Sequence, residues 1–110
     1  MKATTNIEAG ICGFHTTVQA HSEDDQNVTF ELETNCEKIG RLGALLQSQG
    51  PLDAYEEISS ASGSCLLASA REALPGCCAG CAVPVGLFKS MQVAAGLALP
   101  KDIHLTMRQA

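Results

Sequence analysis

The sequence predicts an α+β domain: a three-stranded antiparallel sheet, then helices laid on one of its faces, with a candidate short fourth strand at the C-terminus. Three observations carry this. Apolar residues alternate with period two over the first third of the chain. After residue 34 they recur at helical spacing. The 110 residues contain no repeat, linker or low-complexity stretch, so residues 1–110 read as a single domain.

Residues 4–9 form the first candidate strand. Gly10-Ile11-Cys12-Gly13 reads as a turn, because glycine enters backbone regions closed to other residues. In residues 14–20, Phe14, Thr16, Val18 and Ala20 share one face and His15, Thr17 and Gln19 share the other. The polar, acidic residues 22–27 form a hairpin loop. Val28, Phe30 and Leu32 then alternate with Thr29, Glu31 and Glu33 in a half-buried strand.

The period then changes. Ile39, Leu42, Leu45 and Leu46 mark a helix that Gly50-Pro51 ends, and Thr34 with Glu37 three residues on matches a capping box. Residues 52–58 read as one or two helical turns, 59–64 as a small-residue loop and 65–74 as a helix closed by Pro75-Gly76. Pro84 suits a first helical turn. Leu87, Met91, Ala94, Ala95 and Ala98 form an apolar stripe running to Pro100. Ile103, Leu105 and Met107 alternate with polar neighbours, which gives the candidate C-terminal strand.

Composition limits the function. The net charge is −5 and Lys and Arg form no cluster, which argues against nucleic acid or an anionic membrane as partner. With no Trp, one Tyr and three Phe there is no base-stacking platform. Residues 1–8 contain no apolar run of the signal-peptide kind. The most apolar stretch, residues 81–99, holds Lys89 near its middle, and burying that ammonium in a bilayer costs about 3 kcal/mol. A cytoplasmic protein is therefore expected.

Six cysteines stand out: Cys12, Cys36, Cys65, Cys77, Cys78 and Cys81. Reduced thiols gathered in a small cytoplasmic domain point to metal or redox chemistry. Because antiparallel strands reverse direction, the turn holding Cys12 and the end of the third strand, next to Cys36, are expected at the same end of the sheet. Cys81 joins them if the last helix starts at that end, with Cys77 and Cys78 just before it. Cys36 and Cys81 are placed at helix starts, where the helix dipole favours a thiolate. Thiolates select zinc, copper(I) or iron–sulfur clusters over magnesium or calcium.

The order is Cys12-Gly13 at a turn, two strands, Cys36 leading into Ile39-Gly40-Arg41-Leu42, then Leu74-Pro75 with Cys77 to Cys81 before a long amphipathic helix around Lys89. It resembles the IscU/NifU-type iron–sulfur cluster assembly scaffolds over about residues 8–98. The resemblance implies an IscU/NifU-like fold and a [2Fe–2S] cluster or zinc held by Cys12, Cys36 and Cys81, with Cys78 competing for the third place and Cys77 as an extra thiol. It also implies a cysteine desulfurase or a cluster-accepting protein as partner, and no catalytic residues. Three positions depart from the family: Phe14 stands where it has Asp, its His beside the third Cys is missing, and its Leu-Pro-Pro-Val-Lys stretch is reduced to Leu74-Pro75. They point to a protein that keeps a cluster or zinc ion. The chain is also similar to a small uncharacterised group of anaerobe proteins, on Cys12-Gly13-Phe14 and residues 94–102.

Other roles compete. Cys65, beside Leu66 and Leu67, reads as a core residue. Cys77-Cys78-x-x-Cys81 also suits a thiol redox enzyme or sulfur carrier, with Cys12 or Cys36 as resolving thiol. His15, His21 and His104 read as surface residues, and the last helix is a candidate homodimer surface. No Ser/His/Asp order, phosphate-cradling loop or carboxylate pair rises above chance, so enzyme activity is left open.

Overall fold

The computed structural model describes residues 1–59 and 63–110. It has the α+β architecture that the sequence predicts. Strands β1 (Lys2–Glu8), β2 (His15–His21) and β3 (Asn27–Thr34) are followed by helices α1 (Glu37–Gln49), α2 (Ala54–Ile58), α3 (Cys65–Ala73) and α4 (Val83–Ala94), with a two-residue strand β4 (Leu52–Asp53) between α1 and α2. The sheet order is β1-β2-β3-β4, antiparallel throughout.

The alternating pattern buries one sheet face. Ala3, Ile7, Thr16, Val18, Ala20, Val28 and Phe30 point inward, while their polar neighbours Thr4, Asn6, Gln19 and Glu31 face solvent. Helix α1 lies on β3, α4 lies on β1 and β2, and α3 packs against both helices. Leu42, Leu66 and Leu87, each 0% exposed, fill the space between sheet and helices. Full burial of such a side chain contributes about 1.5–3 kcal/mol.

Several expectations are corrected. The fourth strand is Leu52–Asp53, paired with Asn27 and Val28, not the C-terminal segment. Residues 101–110 carry no regular secondary structure and are exposed. The capping box does not form, because Thr34 still belongs to β3: its Oγ1 accepts from the Cys36 amide at 3.1 Å, and Cys36 is the N-cap residue of α1. Residues 52–58 are divided between β4 and α2, with the Asp53 carboxylate capping the helix by accepting from the amides of Tyr55 and Glu56. The last helix stops at Ala94, before Pro100. Phe14 falls outside β2 and is 40% exposed, despite its inward parity. The loop expected over residues 59–64 lies in part on 60–62, outside the described residues.

By length and composition the run Gly76–Ala94 is apolar enough to cross a membrane. In the fold it is a short 3-10 turn, Gly76–Gly80, followed by the 12-residue α4, whose Leu87, Met91 and Ala94 are each 0% exposed against the protein's own core.

Candidate thiol site

The site begins with register. Glu8 pairs with His15, and Thr16 pairs with Thr34. The β1–β2 turn and the β3–α1 junction therefore stand side by side. The turn is closed by the Gly13 amide donating to Gly10 O at 2.9 Å, with Gly10 and Gly13 at φ 93° and 74°. Those angles belong to glycine, so the turn presents Ile11 and Cys12 at its outer tip. Across from it, Asn35 clamps the junction. Its side-chain oxygen accepts from the His15 amide at 2.9 Å, and its own amide donates to His15 O at 3.4 Å. Cys36 follows directly, and its carbonyl accepts from the Gly40 amide at 2.9 Å in the first bond of α1.

The direction of α4 is settled by its contacts with β1. Gly86 sits against Ile7, so close that a Cβ there would come within 2.3 Å of Ile7 Cδ1. One turn on, Ser90 Oγ donates to Gly86 O at 2.6 Å and meets Thr5 Oγ1 at 2.6 Å. With the serine proton engaged, the threonine hydroxyl is the donor of that pair. Moving along α4 thus retraces β1 from Ile7 to Thr5. The helix starts at the same end of the sheet as the β1–β2 turn, which places Cys81 there as well.

The 3-10 turn completes this end. The Cys81 amide donates to Cys78 O at 3.1 Å, and Lys38 in the first turn of α1 reaches across so that its Nζ donates to Cys78 Sγ at 3.3 Å. Cys36, Cys78 and Cys81 are half-buried against the core, while Cys12 and Cys77 are exposed. Five of the six cysteines therefore share one end of the molecule, and all six are free thiols.

Cys65 is the exception. It opens α3 and is exposed, with Sγ donating to Gln49 Oε1 at 3.5 Å, at the far end of α1 from Cys36. The 13 residues of α1 put roughly 20 Å between those ends. Its reading as a core residue is corrected: Leu66, the next residue round the helix, takes the buried direction.

The donor chemistry suits a soft metal, and the spacing sets a limit. Among the described residues no three His, Cys, Asp or Glu side chains stand close enough to hold a metal ion. The thiols share a region without forming a closed cage. His15 is exposed beside Thr17, and His21 pairs with Glu23 at 3.6 Å, both on the sheet's open face or rim. His104 is on the exposed C-terminal segment.

Two side chains that contact the cysteine-bearing segments escape sequence reasoning. Lys38 stands two residues after Cys36, but only the placement of the 3-10 turn shows that it meets Cys78. Glu57, 8% exposed, holds the start of α3: its carboxylate accepts from Ser64 Oγ at 2.7 Å, the Cys65 amide at 3.0 Å and the Leu66 amide at 2.7 Å. A carboxylate capping a helix from outside it leaves no local sequence signal.

Fold and site together define a small α+β domain with free thiols concentrated at one end of its sheet. The chain belongs to a family of unknown function, DUF6951, whose model matches residues 3–107. No curated protein and no solved structure matches it.

Proposed function

We propose that the protein binds a zinc ion or an iron–sulfur cluster through thiols at this end, with Cys12, Cys36, Cys78 and Cys81 as ligands and Cys77 as an accessory thiol. The convergence of the β1–β2 turn, the start of α1 and the approach to α4 carries this reading. The similarity of cysteine order to the IscU/NifU-type scaffolds supports it, and with it come a cytoplasmic setting and a cysteine desulfurase or cluster acceptor as partner.

The bound group supplies a positively charged centre that neutralises clustered thiolates. The chain's own residues do the rest. Cys36, Cys78 and Cys81 offer sulfur from a half-buried wall, and the turn between Gly10 and Gly13 offers Cys12 from the solvent side. The Lys38 ammonium places a positive charge against Cys78. Because the side chains do not form a closed set beforehand, loading is coupled to local ordering, as in other metal sites whose ligands come together on binding.

The test is purification without oxygen, with metal analysis and visible absorption before and after supplying iron and sulfide. Bound metal or a cluster spectrum is expected, lost in Cys12→Ala, Cys36→Ala and Cys81→Ala and kept in Cys65→Ala. Neither metal nor spectrum in the native chain refutes the proposal.

The Cys77-Cys78-x-x-Cys81 spacing on a short 3-10 turn favours a second reading, since dithiol chemistry needs only two sulfurs. In it the Cys77–Cys81 segment works as a redox or sulfur-carrying site with Cys12 or Cys36 as resolving thiol. It requires a thiol count that falls by two on oxidation and returns on reduction, with no metal present.

A further inference from the structure

The C-terminal segment is out of keeping with the rest of the fold. Ile103, Leu105 and Met107 are 53%, 76% and 87% exposed, and they alternate with Asp102, His104, Thr106 and Arg108 in strand fashion. The family match runs to residue 107, so this segment is part of the family's domain. At the other extreme of the chain, β1 pairs with β2 only, which leaves one row of its backbone N–H and C=O groups open at the edge of the sheet.

We infer that the C-terminal segment of one copy adds as a parallel strand to the free edge of β1 in a second copy, and that two copies exchange these segments reciprocally in a two-fold dimer.

Length, facing and charge each select this pairing. Residues 102–108 match the seven residues of β1. Set parallel, Asp102 lies beside Lys2 and Arg108 beside Glu8, so opposite charges meet at both ends. In the same alignment Ile103, Leu105 and Met107 stand beside Ala3, Thr5 and Ile7, the residues of β1 that face the helices, and His104 and Thr106 stand beside the exposed Thr4 and Asn6. An antiparallel pairing over the same span keeps the facing but sets Arg108 beside Lys2 and Asp102 beside Glu8, and like charges directly across strands are destabilising. A strand added to an open edge gains main-chain hydrogen bonds and covers its apolar side chains in one step. The occupant is a second copy because in the single chain the segment leaves α4 after Ala94 and makes no backbone hydrogen bond to β1. Reciprocal exchange closes both edges with one self-complementary interface.

The test is the solution mass of the full chain, with reductant and chelator present so that neither disulfides nor metal join the copies. The native chain is expected at twice 11.5 kDa. Two charge reversals check the register: Asp102→Lys with Arg108→Glu in one variant, and Lys2→Glu with Glu8→Lys in the other. Each alone is expected to dimerise about tenfold more weakly, because like charges face across both exchanged strands. An equimolar mixture is expected to regain the dimer, since each segment then meets a β1 of matching charge. The helical circular dichroism signal and the Tm of the monomer should be kept in both variants, as all four side chains are exposed in the single chain. A monomeric native chain overturns the proposal, including one whose segment amides are protected by folding onto its own β1. So does a dimer indifferent to both reversals, or a mixture that does not recover.

Discussion

Replacing Gly86 by alanine tests how α4 is seated on the sheet, and with it the placement of Cys78 and Cys81. A Cβ at this position would lie 2.3 Å from Ile7 Cδ1 and 3.0 Å from Ile7 Cγ1, so the isoleucine must move or the helix must lift from β1. Forcing a methyl group into a filled interior costs about 1–3 kcal/mol. Alanine in place of a helical glycine returns about 1 kcal/mol of backbone entropy. The net expectation is a loss of up to ~2 kcal/mol, or a fall in Tm of several degrees at about 4 °C per kcal/mol for a domain of this size. Ile7→Val removes Cδ1, the nearer of the two obstructing atoms, at its own cost of about 0.5–1.5 kcal/mol. In the Ile7→Val background Gly86→Ala should then cost about 1 kcal/mol less than in the native chain. Urea denaturation of the four proteins, closed as a double-mutant cycle, reads this coupling directly. If Gly86→Ala raises stability in the native background, or costs the same in both, the helix does not press on Ile7 and the stated direction of α4 loses its main support.

Glu57→Ala leaves three donors at the start of α3 without their carboxylate, and a loss of about 2–3 kcal/mol is expected by urea denaturation. Thr5→Val breaks the hydroxyl pair with Ser90 and should cost about 1 kcal/mol, while Ser90 keeps its bond to Gly86 O. Asp24 is held well below the ordinary carboxylate value of 3.8, first by the Asn27 side-chain amide and then by the backbone amides of Asn27 and Gln26. A carboxylate lowered in the folded state adds stability that is present above its unfolded value and lost as pH falls through the folded one. Asp24→Asn should therefore flatten the loss of stability below about pH 3.8, seen by circular dichroism during acid titration, and leave the neutral-pH charge contribution absent. If the site holds metal, Cys12→Ala should abolish loading while Cys65→Ala leaves it intact.

Much of the fold is legible in the chain. Val18, Ala20, Val28 and Phe30 alternate, and Ile39, Leu42 and Leu46 recur at helical spacing, because a half-buried element must repeat its apolar residues with its own period. The misses have local causes. Thr34 with Glu37 has the letters of a capping box, yet the strand runs on through Thr34 and the hydroxyl is used by the Cys36 amide. Ile103, Leu105 and Met107 have the letters of a strand, but a strand needs a neighbouring edge, and within one chain none meets them. Leu52 and Asp53 are too short a run to announce themselves and become a strand only because β3 lies beside them.

The sequence by itself determined the α+β class, the β1–β2 turn and the placing of that turn at the same end of the sheet as the β3–α1 junction, since strand reversal and glycine geometry act over a few residues. The tertiary structure alone decided the rest of the thiol end. Nothing local to Cys81 orients α4; the Gly86 contact with Ile7 and the Ser90 pairing with Thr5 do so across most of the length of the chain. Lys38 meets Cys78, and Cys65 is carried to the opposite end of α1, for the same reason: packing between distant elements sets where a side chain ends up, and its sequence neighbours do not encode it.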